Sequence, residues 1–181
     1  MFIQTQDTPN PNTLKFVPGT IVLAKGHKQY NKDDDCTDSK LAEQLFTIKG
    51  IRAIFFGNDF ISITKNDNIH WKKLKISILS YLVDHFVSGQ PVIDKIFIDN
   101  HQEIPNSKIE LEIIKLLNTK IRPAVAQDGG DIIYRKFENG IVFLELHGAC
   151  QGCPSSTITL KQGIENMLKH YLPEVKSVES I

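Results

Sequence analysis

The chain has 181 residues, of which 41% are hydrophobic and 23% are charged, and its 21 basic side chains equal its 21 acidic ones in number. Such a chain can bury the cores of one or two globular domains, and its balanced charge excludes a global field that would attract nucleic acid. Three cysteines are too few for a disulfide framework, no apolar stretch reaches the roughly 20 residues that span a bilayer, and no leader pattern opens the chain. We therefore expect a soluble intracellular protein, cytoplasmic in a bacterium or located in the mitochondrial matrix as a processed eukaryotic form.

The first half of the chain has the periodicities of a small α/β unit. Alternating apolar residues follow a turn-rich start, a helical stripe precedes an apolar hairpin, and a long amphipathic helix comes last. We predict strands at 14–16 and 20–23, an exposed polar loop at 25–38, a helix carrying Leu41, Leu45 and Ile48, a hairpin of 51–56 and 60–64, and a helix capped by Asn68 and ended by Gly89.

The second half again combines a hairpin with amphipathic helices, after a segment at 90–106 that has the character of a linker. Ser107 and Glu110 form a capping-box pattern, and Asn139-Gly140 is a strong signal for a two-residue hairpin turn. We predict a helix carrying Ile109, Ile113, Leu116 and Leu117, a break at Pro123, a tight loop at 127–131, strands at 132–137 and 141–146, a helix from Pro154 carrying Leu160, Ile164, Met167, Leu168 and Tyr171, and a strand at 175–181.

These elements predict the fold class. A helical stripe and a sheet face each need the other in order to be buried, so two-layer packing is expected. We predict an α/β protein of the α+β two-layer kind, with two small domains, each a short and mainly antiparallel sheet packed with two helices. The predicted divisions are an N-terminal domain at 1–89, a linker at 90–106 and a C-terminal domain at 107–181.

The most informative motif is a C-x-x-C followed by a proline, in which Cys150 and Cys153 lie at the seam between the second hairpin and the last helix. Small neighbouring residues allow a tight turn, and Pro154 suits the first position of a helix. Cys153 would then be the N-cap, where free amides and the helix dipole favour the thiolate, which is the form that binds metal. We predict that Cys150 and Cys153 are soft sulfur ligands on an exposed turn.

One such motif supplies half of the usual ligand set. Tetrahedral zinc and iron–sulfur clusters want four donors. Cys36 is the remaining thiol, and nearby carboxylates are expected to raise its pKa, which would make it a poor ligand. His147 would complete an H-x-x-C-x-x-C set, but we interpret it as a strand-end histidine that faces solvent. A second copy of the chain is the simplest source of further thiolates, because two-fold dimers are the commonest assemblies.

The motif leaves three functions open. The first is a cluster scaffold or carrier that bridges two protomers. The second is a thioredoxin-like thiol-disulfide redox pair, which would require a βαβ unit around the motif, whereas a hairpin precedes it here. The third is a structural zinc clip at a dimer seam, from which a chelator would remove a colourless metal with loss of the fold. The sequence contains no phosphate loop, G-x-S-x-G or H-E-x-x-H motif that would indicate an enzyme.

Two sets of residues resemble a known family. The runs at 121–123, 128–131, 148–156, 159–165 and 173–175 are similar to the C-terminal NifU-like (Nfu) domain. The runs at 8–16, 50–51 and 55–61 are similar to the N-terminal Nfu domain. The two sets lie across nearly the whole chain, and the charged loop at 25–38 departs from the family pattern.

The resemblance implies a two-domain protein of iron–sulfur cluster biogenesis that is not an enzyme. It implies that Cys150 and Cys153 bind a [4Fe–4S] cluster, or alternatively a [2Fe–2S] cluster, across a homodimer. It also implies that upstream assembly proteins supply the cluster and that recipient apoproteins receive it, with the N-terminal domain assisting partner recognition. Neither nucleic acid nor a membrane is an expected partner.

Overall fold

A computed structural model describes residues 1–94, 107–152 and 154–181 of the chain, with the side chains of 154–157 excepted. The described residues form two units, one before residue 95 and one after residue 106. Most of the predicted linker at 90–106 lies outside the described residues. None of the helices in the described ranges combines the length and the apolar character needed to cross a membrane.

The first unit is a five-stranded sheet packed with two helices. Its strands are β1 (Gln4–Asp7), β2 (Thr13–Val17), β3 (Lys28–Asn31), β4 (Ile51–Phe56) and β5 (Ile61–Lys65), and its helices are α1 (Lys40–Phe46) and α2 (Trp71–Ser88). The strands lie in the order β1-β2-β5-β4-β3, and every neighbouring pair is antiparallel. The pairing of β4 with β5 confirms the first predicted hairpin.

One face of this sheet and the apolar stripes of both helices form the first core. Alternate residues of β2, β4 and β5 contribute to it, because successive side chains of a strand point to opposite faces. The buried members from the strands and helices include Leu14, Phe16, Ile54, Phe56, Ile61, Ile63, Leu41, Leu45, Leu74, Ile78 and Leu82. Burying one such side chain is worth roughly 1.5–3 kcal/mol, so the stripe on α2 holds that helix against the sheet.

Two segments of the first unit differ from their predictions. Residues 20–23 are not a strand, and the amide of Val22 donates to the Asn58 carbonyl (2.7 Å) instead of to a ladder. The polar segment at 25–38 is not wholly an exposed loop, because it contains β3, in which Tyr30 is buried. An edge strand with one inward-facing side chain carries too weak an apolar pattern to be distinguished from a polar loop.

The local sequence predicts the end of α2 correctly but not its beginning. Asn68 is not the cap, since the helix begins directly after His70. Gly89 ends the helix as predicted, with a φ of 67° that glycine adopts at low cost. The chain remains packed on the first unit beyond this point, because Val92 is buried and its carbonyl accepts a hydrogen bond from Ser39 (2.6 Å).

The second unit is a three-stranded sheet packed with a bent helical arm and a long helix. Its elements are α3 (Lys108–Leu116), a π-helical turn (Leu117–Ile121), α4 (Arg122–Gln127), β6 (Gly130–Glu138), β7 (Ile141–Gly148), α5 (Pro154–Tyr171) and β8 (Ser177–Ser180). The first three follow each other without a break and form the arm, and α5 is the second helix. Both units pack a short sheet with helices, which confirms the predicted α/β class with two small domains, but the second sheet has one antiparallel and one parallel strand pair.

Short-range signals are confirmed in the second unit. The Ser107 hydroxyl accepts a hydrogen bond from the Glu110 amide (3.3 Å) at the start of α3. β6 and β7 form an antiparallel hairpin, and Asn139 and Gly140 have φ values of 55° and 84°, as a type I′ turn requires. The core beneath this hairpin includes Ile113, Leu117, Ile121, Val125, Ile132, Val142, Leu144, Ile164 and Leu168.

β8 lies beside β7 and runs parallel to it, with α5 as the connection. β7, α5 and β8 thus form a βαβ unit, and the C-x-x-C lies at its strand-to-helix turn. The expectation that no such unit surrounds the motif is wrong. β7 pairs with β6 on one edge and with β8 on the other, and sequence order reveals the first pairing only.

Candidate metal centre

The cysteine turn connects β7 to α5. Gly148 and Gly152 have φ values of 63° and 71°, which explains why glycine stands at both positions. The Gln151 amide donates to the Gly148 carbonyl (3.1 Å), and Gln151 and Gly152 are exposed. Cys153 lies outside the described residues, so its predicted position at the N-cap of α5 stays a prediction.

Cys150 is turned inward. It is 6% exposed and belongs to the core of the second unit. A Cβ atom at Gly130 would lie 2.5 Å from the Cys150 Sγ, so the sulfur occupies the space that a side chain at position 130 would fill. The expectation that both cysteines lie on an exposed turn is therefore wrong for Cys150. The reason is tertiary: the turn folds back onto the start of β6.

The loop between α4 and β6 supports this turn. The Ala149 amide donates to the Gly129 carbonyl (3.0 Å). Asp131 is buried, and its carboxylate accepts hydrogen bonds from Arg122 Nε (2.8 Å) and Nη2 (2.6 Å) and from the Ile132 amide (2.8 Å). The turn at 128–129 between α4 and β6 confirms the tight loop predicted at 127–131.

Sequence reasoning missed the partnership of Arg122 with Asp131. The two-point contact holds the pKa of Arg122 above its ordinary value, and Asn118 also accepts a hydrogen bond from Arg122 Nη1 (3.1 Å). Asn118 lies in the π-helical turn and Arg122 directly follows it, so the turn contributes a second hydrogen-bond partner to the guanidinium. The sequence marks Arg122 only by the proline that follows it, and this pattern does not identify Asp131 on β6 as the partner of the arginine.

His147 does not point to solvent, contrary to our interpretation. Its side chain is 12% exposed, and Nε2 lies 2.7 Å from Glu145 Oε1. Glu145 also accepts hydrogen bonds from the guanidinium of Arg135. Burial acts to raise the pKa of Glu145, but the hydrogen bonds from His147 and Arg135 prevail and hold that pKa below its ordinary value. Metal binding through Nε2 would require the contact with Glu145 to break.

Cys36 lies in the first unit and packs against the first core. Burial raises the pKa of its thiol, and the carboxylates of Glu43, Asp35 and Asp38 raise it further. The predicted direction is confirmed, with burial as the larger cause. A thiol with a raised pKa is a poorer metal ligand, because the thiolate is the form that binds.

The donor chemistry of the turn suits an iron–sulfur cluster better than a hard cation, because thiolates are soft ligands. Among the residues that the structure describes, no three histidine, cysteine or carboxylate side chains converge into a metal site. The described part of the turn therefore contains one of the two predicted ligands, Cys150, and its sulfur is buried against Gly130.

Comparison with known proteins agrees with the two-unit division. Residues 3–89 match the family profile described as scaffold protein Nfu/NifU N terminal, and residues 113–179 match the NifU-like domain. A solved structure of a NifU-like protein from Saccharomyces cerevisiae is 31% identical, covers 52% of this chain and 86% of its own, and superposes with a TM-score of 0.49.

Curated relatives align with the whole chain. The protein named NFU1 iron-sulfur cluster scaffold homolog, mitochondrial, from Drosophila ananassae is 45% identical over an alignment of 191 positions, which covers 100% of this chain and 64% of the relative. The human protein of the same name is 47% identical over an alignment of 190 positions, which covers 100% of this chain and 72% of that protein. The chain thus spans less than two thirds of the Drosophila relative. With both characteristic domains present in order, this chain belongs to the Nfu family of iron–sulfur cluster scaffold proteins.

Proposed function

We propose that the protein is a scaffold and carrier, not an enzyme, which receives an iron–sulfur cluster and delivers it to apoprotein targets. The observation that carries the proposal is the C-x-x-C at the junction of β7 and α5, inside the segment that matches the NifU-like domain. Cys150 and Cys153 are the proposed ligands. The cargo is a [4Fe–4S] cluster, with [2Fe–2S] as the smaller alternative.

The proposed site is shared by two protomers. A cubane takes four thiolates, and the C-x-x-C of one chain provides two. The third cysteine, Cys36, belongs to the first unit and has a raised pKa. A homodimer that pairs two C-x-x-C motifs completes the coordination with the fewest assumptions.

The start of α5 supports thiolate chemistry. This helix begins at Pro154 and runs for 18 residues, so its first backbone amides and the positive end of its dipole lie directly after the motif. These groups stabilise negative charge on the cysteines and on the bound cluster. In transfer, thiols of the recipient lose their protons as they bind iron, and the departing Cys150 and Cys153 thiolates take up protons.

The partners follow from this role. Upstream assembly proteins would supply the cluster, recipient apoproteins would accept it, and the first unit would assist in recognising them. We propose an N-terminal domain, a linker within 90–106 and a C-terminal domain at 107–181, and the buried Val92 and its hydrogen bond from Ser39 extend the N-terminal domain beyond the expected end at residue 89. The relatives are named as mitochondrial proteins, so the mitochondrial matrix is the proposed location, in preference to a bacterial cytoplasm.

Anaerobic reconstitution with iron and sulfide tests the proposal. The expected product is a brown dimer with about four irons per pair of chains, measured by absorption, iron analysis and light scattering. Cys150→Ser should abolish stable cluster binding, whereas the matched control Cys36→Ser should retain it. A cluster that survives in Cys150→Ser, or a loaded monomer with all its ligands in one chain, would refute the assignment. Colourless zinc-bound protein that unfolds with chelator would support the structural zinc clip instead.

The βαβ unit favours one second candidate, a thiol-disulfide redox protein that uses the same C-x-x-C. In that class the motif also lies between a strand and a helix. A redox protein would form an intramolecular Cys150–Cys153 disulfide with a defined reduction potential and would turn over as a monomer. Reduction of a disulfide substrate by the iron-free monomer, measured against a C150S variant, separates this candidate from the scaffold.

A further inference from the structure

The Cys150 sulfur lies inside the second unit in the space directly beside Gly130, and we call this space the seat. The Cβ that a larger residue would place at Gly130 would lie 2.5 Å from the Cys150 Sγ, 2.8 Å from the His147 carbonyl oxygen and 3.2 Å from the Cys150 amide nitrogen. Distances below 3.0 Å to a Cβ are essentially absent from real proteins. The absence of a side chain at Gly130 therefore makes room both for the sulfur and for the backbone of the cysteine turn.

The seat is held from both sides. On the cysteine side, the Ala149 amide donates to the Gly129 carbonyl and ties the turn to the start of β6. On the other side, Asp131 follows Gly130 directly and is fixed by its two-point contact with Arg122. The ion pair and the backbone contact thus flank Gly130 beneath the sulfur, whereas Gln151 and Gly152 on the outer side of the turn are exposed.

We propose that the cluster-free chain keeps Cys150 in a closed state, with its sulfur seated on Gly130, and that loading requires the turn at 148–152 to open. Gly130 is then a positioning residue for the ligand. The closed state shields the thiol from oxidants and alkylating agents, and it reduces the apparent affinity for a cluster in proportion to the population of the open state. The proposal rests on the proposed function only where it names the cluster, since the seat is a property of the chain alone.

Alkylation of the reduced, cluster-free full chain tests the seat. Iodoacetamide is added, aliquots are quenched, and modification of the Cys150 peptide is measured by mass spectrometry in buffer and in urea. A thiol that reacts only after local opening is slowed by the opening equilibrium, so we expect Cys150 to react about tenfold or more slowly in the folded chain. Equal rates for folded and unfolded chains, corrected for the effect of urea on a model thiol, would overturn the proposal.

Gly130→Ala tests the position itself. The added methyl group would overlap both the sulfur and the His147 carbonyl oxygen, so the turn must move off Gly130 and alkylation of Cys150 should accelerate by about tenfold. Gly163→Ala is the matched control, because a Cβ at that exposed helical glycine would meet nothing within 4 Å, and its Cys150 should react at the wild-type rate. Equal rates in Gly130→Ala, Gly163→Ala and wild type would contradict the role of Gly130.

Folding of each variant is checked by far-UV circular dichroism. If Gly130→Ala does not fold, the comparison of alkylation rates in folded and unfolded wild type still decides the proposal. Asp131→Asn is a second variant, which weakens the ion pair with Arg122 next to Gly130 without adding volume beside the sulfur. The outcome is separable from that of reconstitution. If Cys150 is alkylated slowly but the chain assembles no cluster, the closed state is supported and the scaffold function is contradicted. If Cys150 is alkylated fast but the chain assembles a normal cluster, the scaffold function is supported and the closed state is contradicted.

Discussion

At the scale of single residues, charged side chains in the hairpin of the second unit act as a connected group. Glu145 on β7 joins His147 on the same strand to Arg135 on β6, and these side chains are only partly exposed. Partial burial matters, because a solvent-exposed ion pair contributes little to stability. A partly buried carboxylate with two partners is screened less by water and salt. The network ends at His147, three residues before Cys150, so it stabilises the end of the strand that leads into the cysteine turn.

Glu145→Gln should lower the melting temperature at neutral pH, and the difference from wild type should vanish in acid. The pKa of Glu145 lies below its ordinary 4.5, so its stabilisation is present above that pH and is lost as the pH falls through the lower value of the folded state. Thermal unfolding from neutral to acid pH measures this. Glu138→Gln, which removes a carboxylate whose side chain is 57% exposed, is the control with the smaller effect. A gap between Glu145→Gln and wild type that widens in acid would contradict the assignment.

At the scale of elements, local chemistry predicts where helices end and hairpins turn, and tertiary packing decides the rest. The cap at Ser107, the stop at Gly89 and the Asn139-Gly140 turn each depend on neighbours a few residues away. The edge strand β3 and the parallel pairing of β8 with β7 do not, although the sequence predicts a strand at 175–181. Both pairings depend on hydrogen bonds from a distant segment, and no periodicity in one segment reports its partner.

Gly140→Ala should destabilise the second unit. A left-handed conformation costs a non-glycine residue roughly 1–2 kcal/mol. The new Cβ would also lie 2.8 Å from Lys176 Cδ and 3.1 Å from the Glu174 carbonyl oxygen, so the chain entering β8 must move. Urea unfolding followed by circular dichroism measures the loss. Gly163→Ala, in an open helical position, should instead be neutral or stabilise by up to about 1 kcal/mol. Equal midpoints for Gly140→Ala and wild type would show that the turn tolerates a side chain.

At the scale of the whole molecule, the sequence predicts which residues form the candidate site better than it predicts how exposed they are. The C-x-x-C, its place before a helix and the shortage of ligands are all local or countable, and they point to Cys150 and Cys153. The inward seat of Cys150 was not predictable, because it depends on Gly130 in another strand and on an ion pair formed by Arg122. Sequence patterns identify which groups can bind; their exposure depends on which distant backbone lies beneath them.

The same dependence on distant contacts fixes where the first unit stops. Residues 90–94 fall within the proposed linker, yet Val92 is 4% exposed, its carbonyl accepts a hydrogen bond from Ser39, and the Asp94 amide donates to the Asp38 carbonyl (2.8 Å). A fragment of residues 1–94 should therefore be more stable than one of residues 1–89. The buried valine and its hydrogen bonds predict a difference of about 2–3 kcal/mol.

Urea unfolding followed by Trp71 fluorescence measures this difference, since the chain has one tryptophan and it lies in the first unit. Val92→Ala in the longer fragment removes the apolar contact but keeps the backbone hydrogen bonds, so it should fall between the two, with a loss of about 1–2 kcal/mol. Identical midpoints for both fragments would place the start of the linker at residue 90. A stabler 1–94 fragment would move that start past Asp94, because residues that stabilise one unit cannot serve as a free tether to the other.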